Sequence, residues 1–302
     1  KDVRYYRNIY FTEDTPRIHR FSSELEELTK RYFTFNSITE DTSGNYWLFL
    51  KTASLPMSRL FFYNTTTKKV KRFPTTNTMI SHTFIYNDKQ DRLWIFGAYG
   101  RNNCLLKLMN KEDGTELKQY RVPTGNFLRE IEFIRSIHSD DRGVLFLATD
   151  MGLFRFEPEA PDSAKQWRKY QHNDNDSMSL AANSLWCVCP DPMEPKRYLW
   201  IGYTSKGFSR LEIATGKCIH YSEKDGLPNN VVYGILSDKF NNLWLSTNKG
   251  LSCFSPSTKS FLNFVAEDGL QGDEFNHLEF KKLKTGELYF GGVSGYTIFK
   301  PE

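Results

Sequence analysis

The sequence contains no long apolar run. In its 302 residues, no segment approaches the roughly 18 consecutive apolar residues that cross a bilayer as a helix. The chain begins at Lys1 without the apolar stretch of a signal peptide. We therefore expect a mature or excised piece of a longer protein that makes no membrane contact itself.

The chain also lacks a concentration of charge of one sign. Its 40 Lys and Arg residues, against 36 Asp and Glu residues, leave a formal net charge of +4. Nucleic-acid-binding domains usually carry a much stronger basic face. Glycine-rich phosphate loops with P-loop or dinucleotide-binding spacing are absent too. We therefore expect no nucleic-acid partner and no cofactor.

Metal-ligand spacings are missing as well. The five cysteines form no C-x-x-C pair, and the six histidines have no Asp or Glu that recurs near them. We expect small buried cysteines and solvated or core histidines, with a disulfide or a metal site as the less favoured alternative. No metal site is predicted. The cysteines are Cys104, Cys187, Cys189, Cys218 and Cys253.

What the sequence does contain is a short motif repeated along the chain. In the clearest copy, Asp238 is followed by Asn241 and then by Leu243 and Trp244. The third position after the leading residue is always Gly, Asp or Asn, which tolerate a left-handed backbone in a tight turn. The following aromatic ring re-enters a strand. The regular copies are residues 41–47, 88–94, 140–146, 238–244 and 283–289, and an expanded copy runs from Asp191 to Trp200.

The spacing of the copies indicates the fold class. They recur at roughly 40–50 residues, the period of a propeller blade made of four short strands. The segments between turns lack the 3.6-residue stripe of a helical repeat. We predict an all-β chain, a β-propeller whose blades have four antiparallel strands each, with seven blades if the degenerate first unit counts as one and six if it does not. One domain then spans 1–302, with a degenerate first blade over 1–34 and regular blades over 35–302, and residues near Val3–Tyr6 supply the outer strand that the last blade lacks.

These motifs resemble a known family. The Asp turn, the strand Gly250–Phe254 and the connection Asp225–Asn230 are similar to the two-component-regulator propeller repeats of hybrid two-component system sensors. The ending, Asp268–Asn276 followed by Gly286–Pro301, resembles the last blade of those sensors. The resemblance covers residues 35–302.

The resemblance implies a periplasmic, non-catalytic sensor module of a hybrid histidine kinase and response regulator. Such a module recognises an oligosaccharide, or relays its recognition, to control carbohydrate-utilisation genes. The implied partners are an oligosaccharide, a preceding propeller and a following immunoglobulin-like domain of the same protein. A homodimer is left open.

The irregular loops are where we expect the ligand, because loops on a rigid scaffold carry function. The connections between second and third strands share one rim with the blade-to-blade connections. Rings, amides and cations on this rim suit sugars, and the cations suit acidic or sulfated ones. The structural alternative is that the Asn residues form turns and the cations are ordinary surface. The candidate ligand-binding residues are Arg59, Tyr99, Arg101, Asn102, Tyr203, Lys206, Asn229, Asn230, Asn248 and Lys249.

Two other functions remain open. A propeller glycoside hydrolase or lyase would need a cluster of acids or a Tyr/His pair. The recurring Asp41, Asp88, Asp140 and Asp238 occupy equivalent turns in different repeats, which indicates turn formation rather than catalysis. A protein-interaction propeller would instead show an exposed apolar patch. We predict no catalytic residues in this chain.

Overall fold

The computed structural model describes residues 4–6, 34–51, 58–73, 81–98, 104–123, 134–162 and 165–301. The chain divides into two compact units. The first unit comprises residues 1–12, 135–140 and 145–302, and the second comprises residues 13–134 and 141–144. Both are built from short β-strands, as the motif spacing predicts.

The second unit contains two four-stranded antiparallel sheets. In each sheet, the strand that directly precedes the repeated turn is called the inner strand below. A shared core between the two sheets buries Trp47, Phe73 and Ile95. The strands are β2 (Thr34–Glu40), β3 (Tyr46–Lys51), β4 (Ser58–Tyr63) and β5 (Val70–Arg72) in one sheet, and β6 (Ser81–Asn87), β7 (Leu93–Ala98), β8 (Cys104–Met109) and β9 (Glu116–Arg121) in the other.

The first unit contains four such sheets. Short 3-10 turns, Glu223–Asp225 and Ala266–Asp268, lie in two of the connections between them. The strands are β10 (Ile134–Ser139), β11 (Leu145–Thr149), β12 (Gly152–Phe156), β13 (Trp167–Tyr170), β14 (Leu185–Pro190), β15 (Tyr198–Tyr203), β16 (Phe208–Glu212), β17 (Cys218–Tyr221), β18 (Val232–Ser237), β19 (Leu243–Thr247), β20 (Gly250–Ser255), β21 (Ser260–Phe264), β22 (Phe275–Lys282), β23 (Leu288–Gly292) and β24 (Gly295–Phe299).

The sheet of β22, β23 and β24 takes its fourth strand from the other end of the chain. β1 (Arg4–Tyr6) pairs antiparallel with β24, with Arg4 opposite Ile298 and Tyr6 opposite Tyr296. The prediction that the N-terminal segment supplies this strand is confirmed. The prediction of seven blades is wrong, because the described residues form six four-stranded sheets. The strand near the N-terminus completes the last sheet and so does not begin one of its own, while residues 7–33, most of the expected degenerate blade, lie outside the described residues.

The repeated turns adopt the backbone that their residue types predict. In each regular copy the third position after the leading residue has a positive φ, the conformation that Gly, Asn and Asp tolerate best. The hairpin interpretation of the motif is therefore confirmed. The φ values are 82° at Gly44, 61° at Asp91, 79° at Gly143, 68° at Asn241 and 86° at Gly286.

The leading Asp of the turn also holds the aromatic residue of the next strand. The Trp244 indole N–H donates to Asp238 Oδ2 at 3.0 Å, and the Trp94 N–H donates to Asp88 Oδ2 at 2.7 Å. Each carboxylate is buried and accepts turn backbone N–H groups through its other oxygen. Turn and anchor are thus one hydrogen-bonded unit, which explains why the two residue types occur together.

The expanded turn after Asp191 uses the same contact and adds to it. Asp191 Oδ2 accepts from the Trp200 indole N–H at 3.0 Å and from Arg210 Nε at 2.8 Å. The Arg210 guanidinium also lies 3.8 Å from the centroid of the Tyr198 ring. This irregular loop is therefore fixed by its own ion pair and ring contacts.

Gly152, Gly207 and Gly250 stand at or directly before the start of a third strand in the first unit, and the structure requires glycine there. Gly207 has a φ of 70°, and a Cβ at this position would lie 2.1 Å from the Tyr221 carbonyl oxygen. Its N–H donates to the carbonyl oxygen of Asn230 at 2.8 Å. Gly152 and Gly250 make the equivalent bonds, to the carbonyls of Asn183 and Asp273. These contacts fix each connection where it enters the next inner strand.

The five cysteines are unpaired thiols. Four are buried, and Cys253 is half-buried. The expectation of small buried residues is confirmed for those four.

Candidate functional site

The structure places the ten predicted ligand-binding residues in different environments. Tyr99, Arg101 and Asn102 lie outside the described residues. Arg59 is the second residue of β4 in the second unit, where it is half-buried. The other six belong to the first unit.

Two of those six have side chains that make structural contacts within the fold. Tyr203 is 0% exposed, its Oη accepts the Ala181 backbone N–H at 3.2 Å, and burial raises the pKa of its hydroxyl. Its ring therefore offers no surface to a ligand, which corrects the sequence interpretation. Asn230 accepts the Glu223 N–H through Oδ1 at 3.0 Å, while its own N–H donates to Glu223 Oε1 at 2.9 Å. Its amide is used to close a connection between sheets.

The remaining four lie in turns and connections. Asn229 Oδ1 accepts the Val231 N–H at 2.9 Å, a local turn contact. Lys206 and Lys249 are exposed on the second-to-third strand connections of two successive sheets. Asn248 Oδ1 accepts the hydroxyl of Tyr233 at 2.8 Å. Of the ten predicted residues, Asn248 thus contacts Tyr233, which belongs to a cluster of aromatic and polar side chains in the first unit.

The first unit brings together four residues that the sequence interpretation did not select. They are Arg135, Trp186, Tyr233 and His277, called the Trp186 cluster below. Each lies within the first three residues of an inner strand, in β10, β14, β18 and β22 respectively. The cluster therefore forms where four blade-to-blade connections enter their sheets, at the end of the inner strands opposite the Asp turns.

Register shifts in strand pairing accompany three of these side chains, Trp186, Tyr233 and His277. Leu185 pairs with Tyr203 and Cys187 with Gly202, which leaves Trp186 without a partner across the sheet. The same shift between Val232 and Gly234 leaves out Tyr233, and a longer shift from Phe275 to Phe280 includes His277. A bulge re-aims a side chain away from the regular alternation of a strand. Large polar and aromatic groups can therefore occupy a position that regular pairing would turn into the sheet.

The rings of the cluster are in mutual contact. The His277 ring stacks on the Trp186 indole with centroids 4.7 Å apart and planes at 24°. The Tyr233 ring is tilted against the same indole, with centroids 5.5 Å apart. The Arg135 guanidinium carbon lies 4.2 Å from the centroid of the indole. Trp186 is therefore the common contact of the other three.

The electrostatics of the cluster follow from partial burial. Desolvation lowers the pKa of the Arg135 guanidinium, and the negative charge of Asp150 offsets part of this. Partial burial and the positive charge of Arg135 together lower the pKa of His277 below its usual value. In the same strand, desolvation raises the pKa of Glu279, while a hydrogen bond from Asn276 lowers it. The positive charge of Arg135 thus favours the neutral form of His277 near pH 7.

The cluster has the chemistry of a small polar binding surface. It offers aromatic rings, a guanidinium, an imidazole and a tyrosine hydroxyl, with the amide of Asn248 attached. The Trp186 indole N–H finds no acceptor among the described residues. An N–H shielded from water without an acceptor costs about 1–3 kcal/mol of stability.

Sequence reasoning could have found the cluster from one signal. Three of its members stand between an apolar and a small residue at the start of an inner strand: Ile134-Arg-Ser136, Leu185-Trp-Cys187 and Val232-Tyr-Gly234. The small residue makes room, since a Cβ on Gly234 would lie 2.5 Å from the Phe280 ring. The sequence interpretation looked for function in the longest loops and passed over these short strand starts.

Comparison with known proteins agrees with the geometry of the sheets. The fold is a β-propeller with four-stranded antiparallel blades, as shown by solved structures that superpose on most of the chain. Residues 226–249 match the sequence model of the family described as two component regulator propeller. This segment covers the Asp turn of the sheet β18–β21 and the connection that precedes it. The prediction of a two-component-regulator propeller repeat is confirmed for this segment.

Individual proteins are also similar to this chain in sequence or in structure. The chain is 26% identical over 249 residues to Histidine kinase P4 of Formosa agariphila, an alignment that covers 80% of this chain and 17% of that protein. The extracellular domain of a protein assigned to a hybrid two component system of B. thetaiotaomicron superposes with a TM-score of 0.66 at 23% identity, over 87% of this chain and 33% of that one. This chain therefore spans a small part of both relatives.

An enzyme with the same fold is also similar in structure. A gluconolactonase of Xanthomonas campestris superposes with a TM-score of 0.52 at 13% identity, over 92% of this chain and 93% of that one. Identity this low shows the fold alone. In the described part of the chain, no helix has the length and apolar character needed to cross a membrane.

Proposed function

We propose that this chain is an extracytoplasmic, non-catalytic sensor module of a hybrid histidine kinase, and that it recognises an oligosaccharide through the Trp186 cluster. The observation that carries the proposal is the meeting of Arg135, Trp186, Tyr233 and His277 at the starts of four inner strands. Sugars pack their CH faces on aromatic rings and take hydrogen bonds at their hydroxyls, and this cluster offers both kinds of contact.

The similarity to a histidine kinase and to an extracellular domain supports the sensor role. Within the parent protein, a preceding propeller and a following immunoglobulin-like domain would flank this chain on the periplasmic side. Ligand binding would then shift the kinase between two states through a difference in affinity for them, and so control carbohydrate-utilisation genes. Residues 1–302 would act as one domain in this process.

Calorimetry against a panel of oligosaccharides tests the proposal. We expect one class to bind, and Trp186→Ala to weaken binding by about ten-fold or more, which is about 1.4 kcal/mol. Phe240→Ala is the matched control, because Phe240 is a 52% exposed aromatic ring in the Asp turn at the opposite end of β18. Equal weakening by both variants, or binding that Trp186→Ala leaves unchanged, would contradict the assignment of the cluster.

The catalytic alternative has a separate test. Incubation of the chain with the same oligosaccharides, with intact polysaccharides and with gluconolactone would reveal hydrolysis. We expect no release of reducing ends and no lactone opening above the buffer rate. Turnover that tracks the protein through purification would replace the sensor proposal with an enzyme.

A further inference from the structure

Arg135 is half-buried and makes no ion pair with a carboxylate in the part of the chain that the structure describes. Its Nη1 donates to Ser184 Oγ at 2.9 Å and to the Leu185 carbonyl oxygen at 3.1 Å. Two other arginines of the first unit are paired with carboxylates: Arg155 lies 2.6 Å from Glu157, and Arg210 lies 2.8 Å from Asp191. Arg135 therefore differs from them in having neutral partners.

The bonds of Arg135 use one side of its guanidinium. The group has five N–H donors in a planar fork. The two recorded bonds occupy Nη1, and no described residue accepts from Nε or Nη2. This second side, with two parallel N–H groups, is the geometry that binds a carboxylate or a sulfate ester with two hydrogen bonds. The first side is held by Ser184 and Leu185, so the guanidinium is fixed before any ligand arrives.

The surroundings leave positive charge on this side of the cluster. Asp150 attracts Arg135, yet desolvation remains the larger influence on the pKa of the guanidinium. His277 adds a second group that becomes cationic when it is protonated, and Glu279, two residues further along β22, is the acid of that strand. An anion that reached Arg135 would relieve the cost of keeping a half-buried charge without an ionic partner.

We propose that Arg135 binds the anionic substituent, a carboxylate or a sulfate ester, of the saccharide whose ring packs against Trp186 and Tyr233. This inference rests on the proposed function and narrows it to charged saccharides. The Nε and Nη2 edge takes the two anionic oxygens. The cluster rings contact the sugar body.

Matched ligands that differ only in charge test the inference. The probes are oligogalacturonides against their methyl esters, and sulfated against desulfated chondroitin oligosaccharides, each measured by calorimetry at two salt concentrations. We expect the charged member of at least one pair to bind about ten-fold more tightly or better, with a preference that falls as salt rises. The two pairs distinguish a carboxylate from a sulfate ester.

Two variants and a control connect the preference to Arg135. Arg135→Gln should abolish the preference for the charged member, and Arg135→Lys, which keeps the charge but loses the fork, should retain part of it. Arg168→Gln is the control, because Arg168 also lies over a ring, 4.7 Å from the Tyr170 centroid, and donates to the Ile213 and Ala214 carbonyls. It should leave the preference unchanged. Thermal unfolding of each variant checks that it is folded.

The outcomes separate the two claims. Equal binding of the charged and neutral members, or a preference that survives Arg135→Gln, would overturn the anion site and leave saccharide recognition standing. A failure of every saccharide to bind would overturn both. Loss of preference in Arg135→Gln alone supports both.

Discussion

The two ends of the inner strands differ in whether their residues repeat from sheet to sheet. At the end that carries the Asp turn, sheets repeat the same residues, and these bond to one another, as Asp238 and Trp244 do. At the starting end, equivalent positions carry Arg135, Trp186 and Tyr233, which differ in type, and Arg135 and Tyr233 both contact the Trp186 ring. Repetition along the chain therefore marks what every blade needs to fold. Variation at an equivalent position marks a surface that can specialise.

The largest effect should come from removing a carboxylate at the turn end. Asp191→Ala leaves the Trp200 indole N–H, the Arg210 Nε–H and two turn N–H groups without their acceptor. Breaking a buried pair in this way costs about 3–5 kcal/mol, so we expect a loss of that order in the free energy of unfolding. Urea denaturation followed by circular dichroism measures it.

Asp41→Ala provides the comparison for that variant. Asp41 accepts from the Asn45 backbone at 2.8 Å, but the Trp47 indole N–H has no acceptor among the described residues. We expect a smaller loss of about 1–2 kcal/mol. Equal losses in the two variants would show that the bond to the indole contributes nothing to stability.

An effect smaller than that of Asp191→Ala is expected at the glycine directly before β16. Gly207→Ala puts a Cβ 2.1 Å from the Tyr221 carbonyl oxygen at a φ of 70°. Left-handed strain and overpacking together should cost about 2–4 kcal/mol. Gly286→Ala isolates the first cause, since its φ is 86° but its Cβ would meet nothing closer than Lys300 Cε at 3.8 Å. Thermal unfolding should show the larger drop in Tm for Gly207→Ala, and the reverse order would remove the clash as an explanation.

The smallest effect concerns the protonation of His277 at the starting end. Its pKa should lie below the usual 6.5, because burial and Arg135 disfavour the imidazolium. The unfolded chain then binds a proton more readily, so this group weakens folding as the pH falls from its unfolded pKa towards its folded one. NMR titration of the His277 ring measures the midpoint.

Arg135→Gln should raise that midpoint, because it removes the positive charge and leaves Trp186 and Tyr233 in place. Arg168→Gln should leave it where it is. If Arg135→Gln leaves the midpoint unchanged, the charge of Arg135 does not influence the pKa of His277.

The turns could be predicted from the sequence because their chemistry is local. The residue types of Gly44, Asp91 and Asn241 alone predict a positive φ, and all three residues have a positive φ in the structure. The period of the repeat then leads to four-stranded blades. The number of blades could not be read in the same way, because residues 1–34 lack a clear copy of the turn and were counted as a blade of their own, whereas Arg4–Tyr6 completes the last sheet.

The Trp186 cluster could not be predicted from local patterns. Its members come from four strands far apart in the chain, and bulges turn two of them out of the regular alternation that sequence reasoning assumes. The bond between Asp191 and the Trp200 indole was missed for a related reason. Turn propensity alone accounts for an Asp at this position. The sequence pattern therefore gives no sign that the carboxylate also bonds the indole N–H.

The pairing of β1 with β24 has a consequence for the order of folding. Arg4 and Ile298 are separated by almost the full length of the chain, so their contact closes a very large loop. The entropy cost of closure grows with loop length, and non-local pairings form late. The hairpins of the first unit can each form from neighbouring residues, whereas the last sheet stays one strand short until the beginning of the chain returns to it. The outer edge of β24 is thus open to pairing with other chains for as long as that return takes.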